Sequence, residues 1–283
     1  MLIYLDANVY NDVERGSIPP GEVAAFRAAR ARGAIETRLG LPDVEEIFGV
    51  WGTDKTTAVR RLCIARDLAG FERVLKQPSD ILEGAIKAYA EGGATPSPLL
   101  SPADHEQVAV SLHKIAAGST EYDQAISDAL AEVKSNKENF KAAMTEGRSN
   151  SLRDLATRYT PRELSALPFP DFFKRGAADW AAEFAERKGL ADGCRQRGLD
   201  GLLDLLTVRL CVGVAMSLVH SQISVGRQPD LGDGYDLWHA ILAATADVCV
   251  TNDKRFYDHL ARVPDVDGFR VVRSLGEALA LAG

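Results

Sequence analysis

Hydrophobic positions follow two different rhythms along the 283 residues. Towards each end, short apolar runs stand between stretches of helical spacing. Leu2-Ile3-Tyr4-Leu5 reads as a first strand, Pro19-Pro20 introduces an alanine-rich helix over 21–33, and Ile35 to Leu41 reads as a second strand ending at Pro42. At the other end the pattern predicts a helix over 235–246, a buried strand over 248–251, a helix over 254–262 and a last strand over 269–272, after which Ser274 caps a short terminal helix. Strands that alternate with helices imply a parallel sheet and hence an α/β fold.

The middle of the chain behaves differently. From 53 to 225, apolar residues recur every three or four positions, and the breaks fall at proline and glycine clusters. This predicts helices near 54–76, 79–91, 102–117, 119–145, 150–158, 161–165, 171–188, 191–197 and 200–225. The resulting organisation is a discontinuous α/β core of residues 1–53 and 226–283, joined by a helical segment over 54–225. Within that segment, helices near 54–76 and ending near 225 are assigned to the core, and the rest to an inserted helical subdomain with GGATPSPLLSP at 92–102 as a linker.

The candidate chemistry is acidic. Asp6 follows the first strand, Glu46 lies on a helix after the second, Asp236 opens the helix over 235–246, and Asp253 follows the strand over 248–251. Strand ends of this kind are where open α/β sheets place their ligands. Carboxylates brought within a few ångströms repel one another, so a fold that gathers them needs cations or protons to neutralise them. Oxygen-only ligation favours Mg²⁺ or Mn²⁺. Asn8 and Thr251 stand beside the acids as polar groups that could orient water. Glu45 and Glu46 are neighbours on one helix and point about 100° apart; Glu46 is favoured because it immediately precedes the apolar pair Ile47-Phe48.

These residues also carry a family resemblance. MLIYLDANVYNDV resembles the first strand and turn of a PIN domain, LPDVEEIFG its strand-to-helix step with the glutamate, and YDLWHAILAATADVCVTNDKRF its closing unit. The resemblance covers roughly the first fifty and the last fifty residues. It implies a three-layer fold with a central parallel sheet, decorated here by a mainly helical insertion. It further implies a metal-dependent nuclease acting on RNA, with Asp6, Glu46, Asp236 and Asp253 as ligands of Mg²⁺ or Mn²⁺. Many bacterial members are toxins of toxin–antitoxin pairs, so an antitoxin or other protein partner, or a second copy of the chain, enters as an expectation.

Composition bounds this reading. With 46% hydrophobic and 26% charged residues the chain is ordinary for a globular protein. Its formal charge is −7, and the excess acidity lies at the ends: residues 1–51 and 231–283 carry ten basic and sixteen acidic side chains, against 23 and 24 in 52–230. Net acidity counts against a simple RNA-coating role, because phosphate contacts come mainly from Lys and Arg. The best basic surface is Lys134, Lys137 and Lys141 at helical spacing, followed by Arg148, Arg153, Arg158 and Arg162, though Glu132, Glu138 and Glu146 are interleaved. Cys63, Cys194, Cys211 and Cys249 form no CxxC pair and read as reduced, buried thiols. The longest apolar run, Leu210 to Val219, is half a membrane span, and no basic-then-apolar leader opens the chain. A cytoplasmic protein without membrane contact is the expectation.

Each acid has a plainer reading. Asp6 and Asp253 could cap turns, Asp236 could answer a helix dipole, and Asp233 and Asp247 read as turn or capping residues. His239 reads as a packed, hydrogen-bonded histidine, and Arg255 as either a substrate contact or a partner of the acids. A phosphatase-like fold with Asp6 as nucleophile would want a second aspartate where Asn8 stands. A non-catalytic scaffold whose helical insertion binds a partner is the remaining alternative.

Overall fold

The computed structural model describes residues 1–158, 160–224, 228, 230 and 232–282. Its centre is a four-stranded parallel sheet in the order β2-β1-β3-β4, formed by β1 (Leu2–Leu5), β2 (Glu36–Arg38), β3 (Val248–Val250) and β4 (Arg270–Val272). The chain's two ends therefore meet in the middle of the sheet, where Ile3 pairs with Val248 and Leu5 with Val250. The inner strands are the apolar ones, and the edge strands carry Glu36, Arg38 and Arg270.

Alternation along the strands sorts their side chains between two cores. Tyr4 and Cys249 belong to one buried cluster, whereas Ile3, Leu5, Val248 and Val250 belong to the other. The second face is covered by α1 (Ala7–Glu14), α2 (Pro20–Ala31), α3 (Leu41–Phe48), α4 (Lys55–Leu68) and α15 (Leu275–Ala282), through residues such as Tyr10, Phe26, Ile47, Leu62 and Leu275. The first face is covered by α5 (Pro78–Glu91), α9 (Phe169–Arg187), α10 (Ala191–Arg197), α12 (Leu206–Ser224), α13 (Asp233–Ala243) and α14 (Lys254–Ala261). Buried residues of α5, α9 and α10 thus share a cluster with the sheet residues Tyr4 and Cys249.

Several elements differ from their sequence-based expectation. Asp6 is followed by the helix α1, not by a turn: Ala7, Tyr10 and Val13 lie on one side of a helix, and Val9 adds to its buried face. The second strand is only three residues long, because α3 begins at Leu41 with Pro42 in its first turn, where a missing N–H costs nothing. The helix expected over 54–76 ends at Leu68, and Gly70 takes a left-handed φ of 77°. Beyond it, extended segments add single bridges, Leu39 to Val74 and Leu75 to Leu99, to the sheet's β2 side. The helices expected over 119–145 and 150–158 are one, α7 (Asp123–Arg158). α6 (Pro102–Ala116) and the short α8 (Pro161–Ala166) flank it, and the helix expected over 200–225 divides into α11 (Leu199–Leu202) and α12. The boundary expected at 226 lies outside the described residues.

By length and composition α12 could cross a membrane, yet 72% of its apolar window is buried inside the fold. Its Gly213 lets α12 approach the end of α14: a Cβ there would lie 2.5 and 2.6 Å from the two methyls of Val263. Val263 is stiff at χ1 and cannot swing aside. Gly213→Ala gains about 1 kcal/mol of helix propensity but incurs about 1–3 kcal/mol of overpacking. The expected outcome is a lower urea midpoint with an unchanged m-value; a raised midpoint would contradict this packing.

Candidate metal centre

The parallel arrangement brings the carboxyl ends of β1 and β3 side by side, and the starts of α1, α13 and α14 converge there with α3. A pocket of about 200 Å³ opens at this point, lined by Asp6, Asn8, Glu46, Asp236 and Asp253 together with Gly232, Tyr235, His239, Arg255 and Phe256. All four acids singled out from the sequence, and Asn8, meet in it. Glu46 is the glutamate that faces the pocket, whereas Glu45 accepts a hydrogen bond from the Tyr235 hydroxyl at 3.1 Å.

Asp6 occupies the N-cap position of α1, yet its side chain makes no capping bond. It is 2% exposed, and Oδ2 instead accepts hydrogen bonds from the Thr251 hydroxyl at 2.6 Å and the Asn8 amide at 3.2 Å. Thr251 is fully buried and its oxygen also accepts from the Asp253 backbone N–H, so it holds the acids in place from behind. Asp253 combines two roles: Oδ1 accepts the N–H groups of Arg255 and Phe256 as the N-cap of α14, while the residue lines the pocket. The turn reading describes Asp233, which at the start of α13 accepts from the Asp230 N–H, whereas Asp247 accepts from the Leu2 N–H of the neighbouring strand.

Two site residues escaped the sequence reading. Asp43 is fully buried; Oδ2 accepts the Gly40 N–H at 2.9 Å and Oδ1 the Tyr4 hydroxyl at 3.0 Å. Its spacing from Glu46 puts both on one side of α3, and an acid in the helix's first turn is a capping signal, which is the trace it left in the sequence. His239, expected to be merely packed, is hydrogen-bonded and packed but also lines the pocket. Nδ1 lies 2.6 Å from the Tyr4 hydroxyl, and Nε2 lies 3.4 Å from Glu46 Oε2 and 3.9 Å from Asp6 Oδ1. Tyr4 on β1 therefore ties His239 to Asp43.

Asp6, Asp43 and His239 form a buried cluster whose ligand atoms lie within 4.8 Å of one another and could hold a metal ion. Asp236 Oδ2 and His239 Nε2, buried atoms on pocket residues, are held by charge contacts alone, with Arg255 Nη2 at 3.1 Å and Glu46 Oε2 at 3.4 Å. A buried carboxylate oxygen met only by an ion pair, beside several further acids, fits a site for a cation. The pocket lining and the buried trio share Asp6 and His239; Asp43 stands behind the pocket, held by Tyr4 and Gly40.

Burial dominates the electrostatics. It raises the Asp6 carboxyl above its ordinary value, against the pull of His239, and Glu46 adds to the rise. It pushes Asp43 to about 7 despite His239, and Asp236 to about 7 despite Arg255. Burial opposes protonation of His239, but the Glu46 hydrogen bond and the charges of Glu46, Asp6 and Asp43 outweigh it and raise His239 to about 10. The acids and the histidine thus share protons in the absence of other cations. Arg255 adds a second positive group: Nη2 lies 3.1 Å from Asp236 Oδ2, and Nη1 2.5 Å from Asp230 Oδ2 and 3.8 Å from Asp233 Oδ1.

Outside the pocket, Lys137 on α7 lies 3.9 Å over the Tyr235 ring, while Lys134 and Lys141 are exposed. The side chains of Arg148, Arg153 and Arg158 lie outside the described residues. The cysteines are free thiols, and Cys194, Cys211 and Cys249 are buried. Comparison of the chain with protein-family models, with curated proteins and with solved structures finds no match.

The shifted groups fix a pH dependence for the metal-free protein. Folded Asp43 and Asp236 bind protons up to about 7, whereas their ordinary value is 3.8, so both favour the folded state at low pH and lose that contribution as pH rises through about 7. His239, raised from 6.5 to about 10, stabilises below 6.5 and loses its contribution as pH rises through about 10. The contributions run in the same direction. In EDTA, the urea midpoint is expected to fall from about pH 5 to about pH 9, and Asp43→Asn is expected to flatten the lower half of that range. A midpoint that rises with pH would contradict these shifts.

Proposed function

We propose that this protein is a metal-dependent phosphodiester hydrolase, a PIN-like ribonuclease that works with Mg²⁺ or Mn²⁺. The observation that carries the reading is the convergence of Asp6, Glu46, Asp236 and Asp253, from opposite ends of the chain, on one pocket with Asn8. Asp6, Asp236 and Asp253 would hold the ion and Glu46 would complete the set; His239 stands ready either as a ligand through Nε2 or as the charge that balances Glu46. A hard divalent ion supplies Lewis acidity, an activated water and neutralisation of charge on the attacked phosphate.

The chain's own residues supply the framework. Thr251 and Asn8 fix the Asp6 carboxylate through Oδ2, so Oδ1, 3.9 Å from His239 Nε2, is held in place before any ion binds. Asn8, on the pocket wall, can orient a water, while buried Thr251 acts through Asp6 and Asp253. The reaction bonds a water oxygen to phosphorus as the bond to the leaving oxygen breaks; the water gives up a proton to solvent and the leaving oxygen takes one from it, and no covalent enzyme intermediate is needed. Tyr4, Asp43 and His239 form a fixed hydrogen-bonded support beneath the site. RNA as substrate and an antitoxin as partner follow from the resemblance, a cytoplasmic setting from the reduced cysteines, and all three belong to this proposal.

One observation favours a second reading, a non-catalytic platform: His239 and Arg255 already offset part of the acidic charge without a metal. The two readings differ in metal response. Under the hydrolase reading, Mn²⁺ at about 100-fold over its dissociation constant stabilises the native protein by about 2.7 kcal/mol, and Mg²⁺ or Mn²⁺ supports cleavage of single-stranded RNA that EDTA stops. Asp6→Asn and Asp236→Asn, shown to be folded, are expected to lose at least about 100-fold in kcat/KM. No Mn²⁺ stabilisation, or equal activity in wild type and variants, would overturn the hydrolase reading.

A further inference from the structure

Asp253 and Arg255 stand two residues apart at the start of α14, and the Asp253 cap accepts Arg255's own N–H. The Arg255 side chain then turns back to the start of α13. One end of its guanidinium is held by Asp230 at 2.5 Å, with Asp233 at 3.8 Å, and the other end reaches Asp236 Oδ2 at 3.1 Å. Asp236 and Arg255 both line the acidic pocket. Gly232 makes room for this arrangement, since a Cβ at 232 would lie 2.8 Å from Arg255 Nη2. The cation thus sits where an ion bound to Asp236 would have to compete with it.

Resting on the hydrolase reading, we propose that Arg255 is the resident counter-cation of the pocket. It competes with the divalent ion for Asp236, and once the ion has taken that carboxylate it meets a phosphate of the substrate. Two features favour this exchange. Asp230 and Asp233 grip Nη1, so the charge stays at the pocket wall when Nη2 gives up Asp236. A guanidinium also presents a planar fork of donors suited to phosphate, which a lysine ammonium lacks. The Arg255–Asp236 contact therefore prepares the site for two ligands in turn: it keeps a buried acid compensated before the metal arrives, and it leaves a donor in position for the anion.

The test is calorimetric titration of the full chain with Mn²⁺ alone. Arg255→Gln is expected to bind Mn²⁺ about fivefold more tightly than wild type, and the same change in an Asp236→Asn background is expected to leave Mn²⁺ affinity unchanged. At saturating Mn²⁺, KM for single-stranded RNA rises several-fold in Arg255→Gln. Tighter metal with weaker substrate is a pattern that a merely structural loss would not give. Unchanged or weaker Mn²⁺ binding in Arg255→Gln, with wild type binding normally, overturns the competition, and an unchanged KM overturns the phosphate contact. If Arg255→Gln fails to fold, Arg255→Lys is read instead; its shorter reach should still tighten Mn²⁺ binding, and unchanged binding overturns the proposal. Binding by the variant alone supports it. Absence of Mn²⁺ binding in both proteins removes the hydrolase reading and this inference together.

Discussion

Carboxylates do not gather in a buried pocket without positive charge or protons to hold them there, and this constraint organises the carboxyl end of the sheet's two inner strands. Asp6 and Asp236 are almost fully buried beside Glu46 and Asp253, and Asp43 is sealed behind them. In water, repulsion between such groups would be slight; under low-dielectric walls it becomes large enough to move protons. The protein answers with His239 against Glu46 and Asp6, with Arg255 against Asp236, and with protons drawn to Asp43 and Asp236. Each of these is a provisional neutraliser of charge that a divalent ion could replace.

The fold supplies the rigidity that makes this possible. Asp6 and Thr251 leave adjacent inner strands, and those strands are anchored on both faces by packed side chains. Tyr4 shows how closely core and site are joined. It is a fully buried strand residue within one hydrophobic cluster, and its hydroxyl bridges Asp43 and His239. The support of the pocket is thus fixed by the same alternation that fills the core, a form of preorganisation that leaves little for a ligand to rearrange.

Much of this was legible in the sequence, and for identifiable reasons. The inner strands announced themselves as short apolar runs, the edge strands by their place between helical stretches, and three of the four pocket acids stood at element ends where their placement follows from topology alone. Glu46 was separable from Glu45 because helical geometry sends neighbours to different sides. What was not legible depended on long-range context. Asp43 looks like an ordinary first-turn acid, and nothing local reveals that Tyr4, 39 residues away, makes it a buried one. The Asn- and Asp-rich segment after Asp6 has turn chemistry, but packing of Tyr10 and Val9 against α4 and its neighbours overrides it and forms α1. Gly147, in the gap expected between helices over 119–145 and 150–158, lies within a continuous α7, because propensity is a weak prior. Arg255 was recognisable as a neighbour of Asp253, but its contacts with Asp230, Asp233 and Asp236 required the α13–α14 geometry.

The central claim is that these carboxylates form one coordination sphere for a hard divalent ion. A crystal structure of the protein soaked in Mn²⁺, with anomalous diffraction recorded to locate manganese, tests it most directly. The account predicts a manganese peak in the pocket with oxygens of Asp6, Asp236 and Asp253 at about 2.2 Å, roughly the bond length of small hard cations. A well-ordered pocket without a peak, with Arg255 still against Asp236 and His239 still between Glu46 and Asp6, would contradict it.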